Sequence, residues 1–289
     1  MADVFAAVDI GASSGRVILG STTGTGTHLT TVHRFPNGAQ ILDGALRWDV
    51  EALVAEVVTG LGNAAEAASA AGDTVVSIGI DTWAVDYGLV DDAGALRYLP
   101  FSYRDGRTAA GVDAVHAVVP PEELYGRTGL QFLPFNTLYQ LAADPSLTGV
   151  QALLVPDLLA YRLTGVRRTG ATNASPTGLL GARRGAGAGD LFPALGLPAE
   201  LFPPLVEPGA PSGPRRPAVA AAAGLPGSTA VVAVGSHDTA SAVAAVPAGT
   251  ERFAYISSGT WSLVGVELDV PILTAGSRAA NFTNERGVD

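Results

Sequence analysis

Apolar and polar positions over the first eighty residues fall into three rhythms. Val4–Val8 is a short apolar run, small residues fill Ile10–Gly15, the apolar run resumes at Val17–Leu19, and Thr27–Phe35 alternates weakly. Together these predict a β-meander. Val50, Leu53, Val54, Val57, Val58 and Leu61 then recur at the i, i+3, i+4, i+7, i+8, i+11 spacing of one helix face, with Asp49 as N-cap and Gly72 as the stop. Val75–Ile80 is an apolar run with the length and β-branching of a buried strand. Meander, helix and buried strand predict an α/β fold, a mixed sheet covered by helices.

Further along the rhythm is less regular. Pro156 and Asp157 open a helix that runs to Gly165. The stretches Gly181–Gly189 and Pro203–Pro217, rich in Gly, Pro and Arg, predict surface loops. Thr229–Val234 reads as another buried strand, broken by Gly235, and Asp238–Val246 as a helix. A weak repeat links the two ends of the chain: F-A-A-V-D-I-G-A-S-S-G-R-V-I-L at Phe5–Leu19 and F-A-Y-I-S-S-G-T-W-S-L-V at Phe253–Val264. Each copy is an apolar strand, a tight Gly/Ser/Thr turn and a second apolar strand. The repeat predicts two related lobes, residues 1–245 as the first and 246–289 as the start of the second. About 40 residues are far short of a domain, so the chain is expected to be an incomplete form. Its second hairpin is expected to leave Phe253, Tyr255, Ile256, Leu263, Val264 and Val266 uncovered, with the tail beyond residue 250 mobile or prone to association.

Composition narrows the chemistry. The 289 residues suit one large domain or two ordinary ones, and 47% hydrophobic with 15% charged residues suits a folded core. Cysteine is absent, which removes disulfides, zinc–thiolate sites, iron–sulfur clusters and a thiol nucleophile. All 17 basic residues are arginine, which removes the P-loop lysine, a pyridoxal Schiff base and the protein-kinase lysine. The four histidines, His28, His33, His116 and His237, have no metal-ligand spacing. A net charge of −10 repels nucleic acid and anionic lipid, so neither is an expected partner. The N-terminus lacks the basic start of a signal peptide and no apolar run is long enough to span a bilayer, so the expected location is the cytoplasm.

Four segments carry candidate chemistry. In D-I-G-A-S-S-G-R (Asp9–Arg16) a carboxylate ends a strand and glycines flank hydroxyl residues. Such a turn suits phosphate oxygens, with Asp9 on Mg²⁺, and equally suits a plain hairpin turn with an incidental Asp. In S-I-G-I-D-T-W-A-V-D-Y-G-L-V-D (Ser77–Asp91), Trp83 and Tyr87 sit among aspartates, as in carbohydrate sites, but Trp83 suits the core as well. In G-S-H-D-T-A-S-A-V (Gly235–Val243), Asp238 opens a helix. The helix N-terminus is expected to lower its pKa, giving a weak base that suits phosphoryl transfer, or simply a capping Asp beside a satisfied His. In S-S-G-T-W-S (Ser257–Ser262) the repeated turn suits a second phosphate site facing the first.

In order along the chain, these motifs together with Y-R-D-G-R-T (Tyr103–Thr108), Q-F-L-P-F-N-T-L-Y-Q-L (Gln131–Leu141), L-L-V-P-D-L-L-A-Y-R-L-T-G (Leu153–Gly165) and T-N-A-S-P-T (Thr172–Thr177) closely resemble the FGGY carbohydrate kinases over nearly the whole chain. The long motifs around Trp83 and Phe132 match the members that act on L-rhamnulose best. The resemblance implies actin-like, ribonuclease-H-like lobes with the site in the cleft between them. It implies transfer of the γ-phosphoryl group of Mg-ATP to O1 of L-rhamnulose, with kinases of L-fuculose or a ketopentose, or a non-catalytic sugar-binding remnant, as the alternatives. By the same resemblance Asp238 is the catalytic base, Ala84, His237, Asp238 and Thr239 meet the sugar, Ala12, Ser13, Ser14, Gly15 and Arg16 form the first ATP-phosphate turn and Thr260 belongs to the second; the readings of Trp83 on the sugar and Asp9 on the metal come from their own motifs. Ala84 stands where some relatives carry Gly, and its methyl trims the sugar pocket. Relatives continue for about 200 further residues, a domain's worth that carries most of the adenosine pocket.

Overall fold

The computed structural model describes residues 2–24, 26–183, 190–250 and 252–288. The chain opens with the meander β1 (Asp3–Ile10), β2 (Ser14–Thr23) and β3 (Gly26–Pro36), then a small hairpin, β4 (Gln40–Leu42) and β5 (Ala45–Arg47). Next come α1 (Val50–Ala70), β6 (Thr74–Thr82) and β7 (Tyr87–Asp91). Three helices follow, α2 (Ala109–His116), α3 (Pro121–Thr128) and α4 (Thr137–Ala142), then β8 (Val150–Leu154) and α5 (Val155–Thr164). Short elements continue as β9 (Thr169–Gly170), α6 (Ala171–Ala174), α7 (Leu191–Ala194), β10 (Leu205–Val206), β11 (Pro211–Gly213) and α8 (Pro217–Ala222). The chain ends with β12 (Ala230–Val232), α9 (Asp238–Ala244), the hairpin β13 (Ala254–Ser258) and β14 (Ser262–Val266), and α10 (Ala275–Ala279).

Six strands form the central sheet in the order β11-β12-β6-β1-β2-β3. The meander pairs antiparallel, whereas β1–β6 and β6–β12 are parallel. Alternation in β1 buries Val4, Ala6, Val8 and Ile10 on one face. Helix α1 covers that sheet. Asp49 caps it by accepting from Ala52 N at 3.0 Å, and Val50, Leu53, Val57 and Leu61 are buried. Each such side chain contributes about 1.5–3 kcal/mol on burial. Gly60 lets the helix lie close on β2, since a Cβ there would stand 2.3 Å from Val17 Cγ2. Helix α5 carries Pro156 in its first turn and is closed by left-handed Gly165 (φ 79°), as its sequence predicts.

A second apolar cluster, including Leu89, Leu138, Tyr139, Leu141 and Leu154, lies under β7, β8 and α2–α4. Of the expected loop at Gly181–Gly189, residues 184–189 lie outside the described residues. The expected loop Pro203–Pro217 is not all loop: Pro211–Gly213 forms the edge strand β11, where a proline's missing N–H costs no ladder bond.

The hairpin β13–β14 stays a two-stranded sheet of its own. Ile256, Val264 and Val266 are exposed as expected, while Phe253, Tyr255 and Leu263 are half-buried, since one hairpin face turns inward. Residues 272–286 return to the main body. Asn284 N donates to Gly129 O at 2.9 Å, Tyr125 Oη donates to Phe282 O at 3.1 Å, and Arg286 N donates to Ser175 Oγ at 2.9 Å.

Candidate active site at the strand ends

The parallel ladder sets Asp9, at the end of β1, opposite Asp81 near the end of β6. Beyond β6, Thr82 N donates to Ser236 O at 3.0 Å and Thr82 bridges to His237, which brings the start of α9 to the same edge. The carboxyl ends of parallel strands in α/β sheets are where ligands bind. Burial, then the neighbouring Asp9 and Asp238, push the Asp81 carboxyl well above its ordinary range, whereas Arg16 and His237 oppose the rise. Three carboxylates therefore share one electrostatic environment.

The first turn joins β1 to β2. Gly11 N donates to Ser14 O at 2.9 Å, and Asn37 braces it, donating from N to Ser13 O at 3.1 Å and from Nδ2 to Gly11 O at 2.8 Å. Ser13 and Ser14 are exposed and Ala12 is buried. Gly15 is a steric necessity, because a Cβ there would meet the Phe35 ring at 2.2 Å. Arg16 grips Asp9 Oδ2 through Nε at 2.8 Å and Nη2 at 2.6 Å. The turn is open to solvent and rimmed by a guanidinium, a suitable seat for phosphate oxygens.

Asp238 is the first residue of α9, with His237 as N-cap. Its Oδ1 accepts from Thr239 N at 2.6 Å and from Thr239 Oγ1 at 3.2 Å. The Asp238 pKa is raised, not lowered as the helix-terminus argument predicts. Burial is the largest influence and outweighs His237 and the Thr239 bonds. The result is a better base than a surface aspartate. His237 is buried, with Nε2 3.5 Å from Asp238 Oδ1 and Nδ1 3.0 Å from Glu285 Oε2.

Trp83 does not turn its face to the cleft. It is 6% exposed, its ring lies 4.2 Å from that of Trp48, and its Nε1 donates to Asp86 Oδ2 at 3.0 Å. Trp48 Nε1 (2.6 Å) and Tyr103 N (3.1 Å) donate to the same oxygen, and Gln140 Nε2 (3.0 Å) to Oδ1. Burial pushes the Asp86 carboxyl up, these donors oppose the rise, and the balance stands at about 6. Between the two lies half-buried Ala84, followed by Val85 at φ 70°. That left-handed backbone is costly for a β-branched residue. It is held by Thr137 Oγ1, which donates to Val85 O at 2.8 Å.

Thr260 is exposed at the tip of β13–β14, beside the 2.7 Å Ser258 Oγ–Ser262 Oγ contact. Among the described residues no hydrogen bond or ion pair joins it to Asp9, Asp238 or the first turn. Read from sequence, Asp81 and Asp86 are only aspartates of the Ser77–Asp91 segment without an assigned role, and Glu285 is missed. The signal for Asp81 is the repeated strand-final aspartate of A-V-D-I-G and I-G-I-D-T. Nothing local marks Glu285.

The N-terminal domain model of the FGGY family of carbohydrate kinases matches residues 4–245. The chain belongs to the FGGY family. Among curated FGGY-type relatives, the rhamnulokinase of Bacteroides thetaiotaomicron is 43% identical over 291 residues, covering 99% of this chain and 59% of the relative. That of Enterococcus faecalis is 42% identical over 287 residues (98% and 57%), and that of Bacillus subtilis 40% over 289 residues (99% and 59%). The chain thus spans well under two thirds of the length of the relatives it matches. A carbohydrate kinase from Novosphingobium aromaticivorans shares the fold at TM-score 0.77 and 22% identity, covering 92% of this chain and 57% of that one. A xylulose kinase from Rhodospirillum rubrum does so at TM-score 0.72 and 22% identity, covering 84% and 51%. The sheet with its flanking helices is therefore the actin-like fold of FGGY kinases. No helix among the described residues is long and apolar enough to cross a membrane.

The donor set also bears on Mg²⁺. Among the described residues no three His, Asp or Glu side chains gather into a cage. Mg²⁺ ordinarily takes one or two carboxylates and completes its shell with waters and substrate phosphates. A strand-end Asp9 beside an open phosphate-type turn fits that habit.

Proposed function

We propose that the chain carries the ketose-binding half of an ATP-dependent kinase that phosphorylates L-rhamnulose at O1 to L-rhamnulose 1-phosphate. Residues 1–245 form its first lobe and 246–289 begin the second. The observation that carries this reading is Asp238: a half-buried carboxylate with a raised pKa, opening α9 at the same sheet edge as Asp9 and the Gly11–Gly15 turn. The 40–44% identity to rhamnulokinases over 98–99% of the chain supports the choice of ketose.

In this reading the sugar lies against His237, Asp238 and Thr239, near Ala84 and the edge of Trp83. Asp238 accepts the proton of the attacking O1 hydroxyl as the new O–P bond forms and the bond between the γ-phosphorus and the β–γ bridging oxygen breaks, ADP leaving with that oxygen. Loose phosphoryl-transfer transition states need positioning more than strong deprotonation, so a moderately raised carboxyl suffices. Ser13, Ser14 and the backbone N–H groups of the first turn hold phosphate oxygens, Arg16 adds positive charge, and Thr260 belongs to the opposite turn. Asp9 would hold Mg²⁺, which when bound neutralises phosphate charge. The chain spans 57–59% of the length of these relatives, so little nucleotide binding or turnover is expected of these 289 residues by themselves.

Calorimetry of the purified chain with a panel of ketoses, alongside ADP release, tests the reading. The expected result is selective L-rhamnulose binding, weak ATP binding, and no detectable turnover by these 289 residues. Preference for L-fuculose or a ketopentose would reassign the substrate, and no binding of any ketose would overturn the proposal.

A further inference from the structure

Glu285 reaches the site from 47 positions beyond Asp238 and is delivered by two anchors. On one side Asn284 binds Gly129 O through both N (2.9 Å) and Nδ2 (3.0 Å). On the other, Arg286 N donates to Ser175 Oγ at 2.9 Å. The residue between them sets its Oε2 3.0 Å from His237 Nδ1, and the far ring nitrogen, Nε2, faces Asp238 Oδ1 at 3.5 Å.

The hydrogen-bonding arithmetic of this arrangement is restrictive. An ionised carboxylate only accepts, and a neutral imidazole carries one N–H. His237 lies between two carboxylates, so neither neutral tautomer serves both, whereas the doubly protonated ring does. We propose that Glu285 is a positioning residue: it accepts from His237 Nδ1 and so holds the imidazolium with Nε2–H aimed at Asp238 and at the ketose hydroxyl beside it. This rests on the ketose-kinase reading of the site.

The charged groups that face the ring are Glu285, Asp238 and Asp81, with Asp9 and Arg16 acting beyond Asp81. Burial of His237 works against the cation. Glu285 is the largest opposing influence, followed by Asp238 and Asp81, and the balance lies above the ordinary imidazole value. The same cation offsets the burial of Asp238 and helps keep it an acceptor. Glu285 thus acts on the base through His237 and touches neither substrate nor reacting atoms.

The test is ¹⁵N-resolved NMR titration of the His237 ring in the 289-residue chain, in wild type, Glu285→Gln and Glu285→Asp, with L-rhamnulose calorimetry on each. In wild type the ring should titrate above about 6.5, the ordinary imidazole value. Glu285→Gln should lower that midpoint by about one pH unit or more and weaken ketose binding about 10-fold at pH 7. Glu285→Asp should restore part of both. A wild-type midpoint at or below the ordinary value overturns the inference, and needs no variant that folds. So does a Glu285→Gln ring that titrates like wild type. If wild type binds no ketose while its ring still answers to Glu285→Gln, the ketose reading falls and the ion-pair inference stands.

Discussion

Asp9 and Asp81 stand side by side across the parallel β1–β6 ladder, paired in register at the carboxyl edge of the sheet. Their surroundings differ. Asp9 is held by Arg16 at 2.6 Å, whereas half-buried Asp81 has its carboxyl pushed up toward the neutral form. If Asp9 holds the metal as proposed, Asp9→Ala should weaken Mg²⁺-dependent nucleotide binding while leaving ketose affinity within about twofold, since the proposed phosphate turn joins β1 to β2 whereas the proposed sugar residues follow β6 and open α9. Nucleotide titrations at several Mg²⁺ concentrations, with a parallel ketose titration, check this. An effect confined to the ketose would contradict the metal role.

Asp238→Asn removes the proton acceptor but keeps the size of the side chain. Loss of a general base typically lowers the rate by about 10²–10⁴. Where phosphoryl transfer is measured, kcat should fall by that order with the ketose Kd little changed. Near-normal turnover in the Asn variant would sink the assignment.

Asp157 gives the fold an unusual pH response. It lies on α5, its Oδ1 accepts from Gly170 N at 2.9 Å, and its Oδ2 has no protein partner. Burial raises its pKa from 3.8 to about 7. The folded value lies above the unfolded one, so the folded protein holds an extra proton between about pH 4 and pH 7. Stability should fall as pH rises through that window, by on the order of 4 kcal/mol, and level off above it. Asp86, raised to about 6, acts in the same direction over the lower part. Urea unfolding at half-unit steps from pH 5 to 8 should show a shallower slope between pH 6 and 7 for Asp157→Asn than for wild type. Identical slopes would rule out this carboxyl as the source.

Ile256 and Val264 are register partners on the outer face of β13–β14, 72% and 70% exposed. Apolar strand faces of this kind drive association. The double variant Ile256→Thr/Val264→Thr keeps β-branched residues in both strands. It should reduce concentration-dependent light scattering while ketose binding holds. Scattering equal to wild type would place the association surface elsewhere.

Much of this protein is legible along the chain because its signals are short-range. Alternation buries one face of β1, a 3.6-residue rhythm with the Asp49 cap forms α1, and Gly165 ends α5, each decided within a few residues. Asp9 and Asp238 are legible for the same reason: each closes or opens an element whose local pattern is strong. Trp83 shows the limit. An aromatic among aspartates suits a sugar face and a core equally, and only the closing of Trp48, Tyr103 and Gln140 around Asp86 decided for the core. The Asp238 pKa needed the fold as well, since a helix terminus is read locally but burial, the larger influence, is not. Asp81 joined the site through a parallel register some seventy residues apart, and Glu285 through a returning segment pinned at Gly129 and Ser175. Contacts made across such separations depend on where a crossover lands, and no neighbour in sequence carries that information.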